Sequence, residues 1–223
     1  SALLVPNNLK QAAATKISAQ LKVLSEPRLL LVYAITAIGY GGSFIAFTYL
    51  APILEQISGF DSSAIGLIML VYGVSVAVGN IWGGKMADKM GPIKALSIIF
   101  TGLAAVLLVF NFTAVNPIAA VATILVWGAF AFGNVPGLQV YVVKLAEKHT
   151  PQAVDVASGL NIAAFNVGIA LGAWGGGLIV EQAGLMNTPW IGAIVVLLAL
   201  VLTRFSGTLD KKAQQKALMT RTA

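Results

Sequence analysis

The placement of the basic residues is the feature that most constrains the fold of this chain. All 14 lysines and arginines fall in four short clusters, and the three stretches between the clusters contain no cation. These stretches are residues 29–84, 95–143 and 149–203. A helix needs about 20 apolar residues to cross a bilayer, so each stretch has room for two crossings and a turn. The pattern predicts three helical hairpins, six transmembrane helices in all.

Composition excludes the main alternatives to a polytopic membrane protein. Of the 223 residues, 58% are hydrophobic and 10% are charged, against roughly 25% charged in a soluble domain. Mean hydropathy is +0.87, which also excludes intrinsic disorder. With no cysteine, neither a disulfide framework nor thiolate chemistry is available. The chain is basic, but the cations are not gathered on one face with aromatic residues between them, so we expect no nucleic-acid partner.

The sign of the loop charges predicts the orientation. Lysines and arginines in short loops mark the cytoplasmic side of a membrane. All four basic clusters fall on one side of the predicted hairpins, whereas Glu55, Asp61 and Glu181 fall at or near the opposite ends. We therefore expect a multi-pass protein of the bacterial inner membrane with both termini in the cytoplasm and with membrane lipids as partners.

The chain divides into three parts. Residues 1–27 are interpreted as the end of a preceding apolar segment followed by a cytoplasmic linker, 28–205 as the membrane domain, and 206–223 as a basic cytoplasmic tail. The linker, residues 7–26, fits an amphipathic helix on an anionic leaflet and a solvated linker equally well. Because the chain has no initiator Met, a piece of a longer protein is expected. The spans are predicted at 29–54, 61–83, 94–113, 117–143, 155–180 and 189–205.

A short motif occurs once in each half of the membrane domain. Gly84, Asp88 and Gly91 have the same spacing as Gly177, Glu181 and Gly184. Each copy closes the middle span of a three-span set, and a set of three spans reverses the side from which the next set enters the membrane. The copy with lysines is therefore cytoplasmic and the copy without them is external. This arrangement predicts an all-α fold built as a 3+3 inverted repeat.

Glycine is abundant in the predicted spans. Small residues allow helix backbones to approach closely in lipid. The same composition fits a bundle whose helices slide during a cycle and a bundle that is tightly and statically packed, and composition alone does not separate the two.

The segment Gly84–Lys94, GKMADKMGPIK, resembles the signature loop of the major facilitator superfamily. Gly84, Ala87, Asp88, Lys89 and Gly91 match that motif, whereas Met86 replaces its usual leucine and Pro92-Ile93 stand where a basic pair is common. The segments 161–172 and 49–52, with Trp127-Gly128, are similar to the sugar-efflux and drug:proton antiporter branch. The resemblance runs from about residue 28 to residue 205 and corresponds to helices seven to twelve.

The resemblance implies a function. It implies the C-terminal half of a secondary transporter that exports a sugar or an amphipathic drug by alternating access, by proton antiport, against an N-terminal six-helix half. The conformational-switch motif would be Gly84, Asp88, Lys89 and Gly91, with Gly177, Glu181 and Gly184 as its counterpart. The alternative is that Asp88 is a solvated loop acid.

Polar and aromatic side chains at mid-membrane depth are the candidates for a substrate cavity. Aromatic rings with neutral amides suit sugars or amphipathic drugs better than ions, although for any single amide a helix–helix hydrogen bond is the favoured role. Pro136 is expected to kink its helix. The candidates are Tyr40, Phe44, Phe47, Trp127, Phe130, Asn134, Gln139, Asn161 and Phe165.

Titratable groups are predicted only near the ends of the spans. A group that carries protons during transport would then lie in the other half. An intramembrane hydrolase is not expected, since no histidine lies in a span to activate Ser43 as a nucleophile. We therefore expect a protein that is not an enzyme, with no catalytic residue, metal or cofactor. A water channel would need two Asn-Pro-Ala loops, and Asn116-Pro117-Ile118 is one poor match. A structural or channel-like membrane subunit without transport activity of its own stays open as the alternative.

Overall fold

The computed structural model describes residues 17–222, with side chains for 21–220. Within that range the protein is built of helices without strands, and six segments are long and apolar enough to cross a membrane. The predicted six-helix architecture is confirmed. The helices are α1 (Ile17–Ser25), α2 (Pro27–Phe47), α3 (Leu50–Gln56), α4 (Ser62–Met90), α5 (Pro92–Thr113), α6 (Pro117–His149), α7 (Val154–Ala183) and α8 (Asn187–Thr222).

The first predicted span, 29–54, consists of two helices. The chain breaks between α2 and α3 at Thr48 and Tyr49, where Tyr49 has φ −105° and ψ 11°. Pro52 explains the break, because it has no N–H to donate and its ring excludes the carbonyl four residues earlier, that of Thr48. The two pieces still form one candidate span, Pro27–Gln56.

Helix α8 continues well beyond the predicted span 189–205. The stretch assigned to a cytoplasmic tail is helical as far as Thr222. At the other end of the chain, α1 supplies a helix for residues 17–25 of the linker, and the earlier linker residues lie outside the described range. Leu21 and Leu24 of α1 are exposed, whereas Val23 is buried against Leu29 and Val32.

The two three-helix sets interlock. The middle helix of each set packs mainly against the first helix of the other, so α4 contacts α6 and α7 contacts α2, while the third helices α5 and α8 contact each other. The two interfaces use equivalent positions, aligned in the register that matches Gly84 with Gly177. In each contact, a small residue of α4 or α7 meets a backbone carbonyl of α6 or α2. The contact Ser75–Leu125 corresponds to Gly168–Ala37, Gly79–Ala129 to Gly172–Gly41, and Gly83–Gly133 to Gly176–Ile45.

Close backbone contact explains these glycines. A Cβ placed on Gly83 would overlap the carbonyl oxygen of Gly133, and a Cβ placed on Gly176 would lie 2.6 Å from that of Ile45. Such proximity is the kind of helix packing that small residues permit in lipid. The inverted repeat is therefore present in the packing as well as in the motif.

The turns that end the two middle helices are also equivalent. Gly91 ends α4 with φ +82° and ψ 155°, and Gly184 ends α7 with φ +89° and ψ 165°. A positive φ at the end of a helix strongly favours glycine, which has no Cβ to clash. The last glycine of each motif copy is thus required by the backbone of its turn.

Helix α6 runs without interruption through Pro136 from Pro117 to His149. The proline removes one backbone hydrogen-bond donor from the helix. Two residues earlier, the side chain of Asn134 donates from Nδ2 to the backbone carbonyl of Ala131 in the same helix, at 2.8 Å. Asn116 caps the start of the helix, and its side-chain oxygen accepts from the N–H of Ala119 at 3.0 Å. Its inner face, with Ile124, Trp127 and Leu138, contributes to the core.

Candidate functional site

A chain of hydrogen bonds joins three helices around Asn161. The Thr36 hydroxyl of α2 donates to Asn161 Oδ1 at 2.7 Å, and Asn161 Nδ2 of α7 donates to Gln139 Oε1 of α6 at 2.9 Å. Gln139 Nε2 in turn donates to Ser158 Oγ. Thr36 and Asn161 have no solvent exposure. Because each amide atom of Asn161 has a partner, the network offsets the cost of placing an amide in the bundle interior.

Aromatic rings lie along α2 one turn from this network. Tyr40 packs against three rings at centroid separations of 4.9 to 5.6 Å, those of Phe165, Phe44 and Phe132. Phe44 then contacts Phe47 at 5.2 Å. Tyr40 is buried, whereas Phe44, Phe47, Phe165 and Gln139 are half-buried. The rings and amides therefore form a wall with surface that a ligand or a partner can reach.

The aromatic series continues into the core. Phe47 stacks on Tyr72 of α4 at 5.1 Å, and both rings contact Trp127 edge-on. Trp127 is fully buried and donates its indole N–H to Ser43 Oγ at 3.1 Å. Trp127 therefore supports the aromatic wall from behind and contributes none of its exposed surface.

Two of the predicted cavity residues lie apart from this wall. Phe130 contacts Trp82 of α4 at 5.3 Å and lies over Gly102 of α5. Asn134 is fully buried, and its Oδ1 has no hydrogen-bond partner among the described residues. The structure thus groups Tyr40, Phe44, Phe47, Gln139, Asn161 and Phe165, with Trp127 behind them.

Sequence reasoning missed five members of the arrangement. Two of them had a helical-spacing signal, because Thr36 lies one turn before Tyr40 and Ser158 lies one turn before Asn161. Phe132 and Ser43 could have been found only with knowledge of which helices touch. The fifth, Tyr72, comes from α4 and joins through Phe47.

The switch motif forms the last turns of α4. Asp88 and Lys89 are exposed, Ala87 is buried, and Asp88 has no ion pair among the described residues. Gly84 lies beside Pro136, the nearest atoms to a Cβ there being 3.7 Å away. The counterpart Glu181 is exposed at the end of α7. Both acids therefore present free carboxylates at opposite ends of the bundle.

A second polar cluster was not anticipated. Arg28 Nη2 at the start of α2 pairs with Asp210 Oδ1 of α8 at 2.7 Å, and Tyr141 of α6 donates to Asp210 Oδ2 at 2.8 Å. Ser206 Oγ lies 2.6 Å from the Tyr141 hydroxyl. These contacts tie three helices together at the end of the bundle that carries the lysines. The signal available in the sequence was Asp210, an acid isolated among the basic residues of the tail.

At the opposite end of α4, Asp61 caps the helix. The Ser63 hydroxyl and the N–H groups of Ala64 and Ser63 donate to its carboxylate at 2.6 to 2.9 Å. These hydrogen bonds, that of the Ser63 side chain first, lower the pKa of Asp61. The charged form of Asp61 is thus favoured where it meets the positive end of the helix dipole.

Comparison with known proteins gives a consistent result. A family model described as Major Facilitator Superfamily matches residues 32–221. An uncharacterized MFS-type transporter, YtbD of Bacillus subtilis, is 49% identical over 96% of this chain and 54% of its own length. The inner membrane transport protein YdhP of Escherichia coli K12 is 34% identical over 87% of this chain and 49% of its own length. A probable sugar efflux transporter of Helicobacter pylori J99 is 29% identical over 91% and 50%. The chain spans about half the length of these curated relatives.

Proposed function

The chain belongs to the major facilitator superfamily, and from that premise we propose that its six helices form one half of a transporter that exports a small uncharged solute, a sugar or an amphipathic drug, by alternating access. The observation that carries the proposal is the wall in which the Asn161 and Gln139 amides adjoin the rings of Tyr40, Phe44 and Phe165. Neutral amides recognise hydroxyl groups by hydrogen bonds, and aromatic faces pack on apolar surface.

The type of side chain in the wall supports an uncharged solute. Its hydrogen-bonding groups are amides and hydroxyls, and none of the side chains that form it carries a charge. Relatives include proteins named as probable sugar efflux transporters. We propose proton antiport as the energy source, with the proton-carrying group on the partner half, because a group that carries protons must be titratable and accessible during the cycle.

The partner is proposed to be an N-terminal six-helix half that covers α4 and α7. These two helices are the least buried of the six spans: in their most apolar 18-residue stretches, 22% and 28% of the residues are buried. Gly66 on α4 and Gly159 on α7 face open space and are equivalent positions of the repeat. Both are places where a further helix can approach closely. In the membrane, the cationic end is proposed to face the cytoplasm of the bacterial inner membrane.

The switch motif is proposed to stabilise one conformation of the cycle. Asp88 has no partner in the described chain, so its carboxylate is free to accept hydrogen bonds from a helix N-terminus of the other half in that conformation. Asp88 lies three residues before Gly91, the turn that joins α4 to α5. Asp88 is therefore assigned to conformational change, and the solute to the aromatic wall.

A transport measurement tests this function. The chain is expressed together with the part of YtbD that it does not match, in cells loaded with sugars or dyes, and efflux is followed with and without a protonophore. We expect solute efflux that needs both parts and that the protonophore abolishes. No solute-dependent flux across the panel would contradict the proposal and favour a structural membrane subunit.

Asn161→Ala is the matched test of the wall, with Asn166→Ala as its control on the same helix. Asn161 is buried in the network, whereas Asn166 is exposed. Asn161→Ala leaves Gln139, the half-buried amide of the wall, without the partner that orients it. A lost hydrogen bond costs about 1–3 kcal/mol, so we expect transport to fall at least about fivefold. Asn166→Ala should change it less than about twofold. Equal effects of the two substitutions would contradict the assignment.

A further inference from the structure

A cavity of about 840 Å³ opens at the end of the bundle that carries the Arg28 cluster. Its walls come from the α4–α5 turn, the end of α6 and residues 204–217 of α8. Between the charged groups the lining is apolar and includes Ile93 and Leu145. The cations on its lining are Lys94, Lys144, Lys148, Arg204 and Lys211.

The charge of this cavity is uncompensated in the described part of the chain. Its one acidic lining residue, Asp210, is already paired with Arg28 at 2.7 Å. None of the five lining cations has an ion pair with a described residue. Like charges around one space repel each other. An anion bound between them would relieve that repulsion.

The positions of the cavity cations are more specific than the excess of cytoplasmic lysines and arginines that orients a membrane protein. Lys144 and Lys148 lie one turn apart on α6, and Arg204 and Lys211 lie two turns apart on α8. Orientation requires cations only near the ends of spans, and other lysines of the same region, such as Lys212, do not line the cavity.

We propose that this cavity binds the phosphate of an anionic phospholipid, with the start of the acyl chains against its apolar lining. Basic pockets between transmembrane helices recognise anionic headgroups in this way. Free inorganic phosphate could pair with the cations but has no apolar part to pack against Ile93 and Leu145. The mixed lining therefore favours an anion that also carries an apolar chain. The site is separate from the aromatic wall and does not depend on which solute is transported.

A binding measurement with the purified chain tests the site. In a neutral detergent, the chain is titrated with fluorescent phosphatidylglycerol and, separately, with the same probe on phosphatidylcholine. We expect phosphatidylglycerol to bind at least about tenfold more tightly than phosphatidylcholine. Lys144→Gln with Lys148→Gln should lower that affinity at least about tenfold, since each lysine near an anionic headgroup contributes roughly fivefold.

A matched pair on α8 provides the control. Lys212→Gln with Lys216→Gln removes the same charge from exposed positions outside the cavity and should change affinity less than about twofold. Lys144→Arg with Lys148→Arg should retain binding, which separates loss of charge from loss of fold. Equal losses in the two glutamine pairs would overturn the site in favour of general surface attraction. Displacement of the probe by inorganic phosphate as effective as by phosphatidylglycerol would overturn the lipid assignment.

Discussion

At the residue scale, single hydrogen bonds hold the aromatic wall against its backing helices. Ser43 of α2 accepts from the Trp127 indole in a site that is 2% exposed at Ser43 and 0% at Trp127. An indole N–H without a partner in such a place costs roughly the full desolvation of the group. The orientation of Trp127, and through it of Phe47, therefore depends on one serine.

Ser43→Ala should lower the free energy of unfolding in detergent by about 1–3 kcal/mol because it leaves the indole N–H unsatisfied. In a Trp127→Phe background, which has no N–H, the same substitution should cost close to nothing. The measurement is a double-mutant cycle by thermal or denaturant unfolding. An equal cost of Ser43→Ala in both backgrounds would show that the hydrogen bond contributes nothing.

Helical spacing could predict which residues share a face but not which neighbour each one meets. Trp127, Phe130 and Asn134 have that spacing, and they were expected together. A helix face is wide enough to contact two neighbours, and here Trp127 points toward α2 and α4 whereas Phe130 contacts Trp82 and Gly102. Partner choice depends on packing between helices, which one sequence does not specify.

At the element scale, the glycine contacts decide which helices can pack. Gly83 and Gly176 are equivalent positions at the two interlocked interfaces, and both meet a backbone carbonyl. Gly73 on α4 and Gly175 on α7 face open space and so provide controls on the same helices.

Gly83→Ala or Gly176→Ala should destabilise the bundle by about 1–3 kcal/mol, because the new Cβ forces two backbones apart. Gly73→Ala and Gly175→Ala should leave stability unchanged or raise it by up to about 1 kcal/mol through the entropy of the unfolded chain. Thermal unfolding in one detergent compares the four variants. If all four behave alike, close backbone packing does not hold the repeat together.

The Asp61 cap of α4 should make the stability of the protein depend on pH. The folded pKa of Asp61 is lowered, so its contribution to stability is present above the unfolded pKa and is lost as pH falls through the folded value. Asp61→Asn retains a capping side chain that does not titrate. The melting temperature should therefore fall more from neutral to acid pH in the parent than in Asp61→Asn. Parallel falls in both proteins would contradict a role for the ionised cap.

Sequence patterns could predict the number of spans because a stretch without cations leaves room for a fixed number of crossings. They could not locate the break before Leu50, since apolar side chains continue through it and only the effect of Pro52 on Thr48 separates α2 from α3. They also ended the last span at 205, because the residues from Ser206 onward are polar and basic. Helix α8 continues because a polar, alanine-containing segment retains helical propensity outside the apolar region.

At the scale of the whole molecule, the exposed faces of α4 and α7 set the expectation for assembly. Nitroxide labels at Gly66→Cys and Gly159→Cys should lose accessibility to dissolved oxygen when the N-terminal half is present. A label at Ile98→Cys, on the exposed face of α5, should not. Protection of all three positions, or of none, would contradict the proposed partner surface.

The inverted repeat leads to the most direct prediction about the molecule as a whole. Equivalent positions in the two motif copies must lie on opposite sides of the membrane, as a consequence of three crossings between them. Lys89 and Gln182 are such a pair, both exposed and each two residues before the glycine that ends its helix. The chain has no native cysteine, so a single introduced cysteine reports one position.

Labelling of Lys89→Cys and Gln182→Cys with a membrane-impermeant maleimide in intact cells is the decisive measurement. We predict that external reagent labels Gln182→Cys and reaches Lys89→Cys only after the membrane is permeabilised. The same contrast should hold for positions 57–60 and 185–188 against 86–93. Labelling of both cysteines from one side, or the reverse pattern, would contradict the inverted repeat and the function built on it.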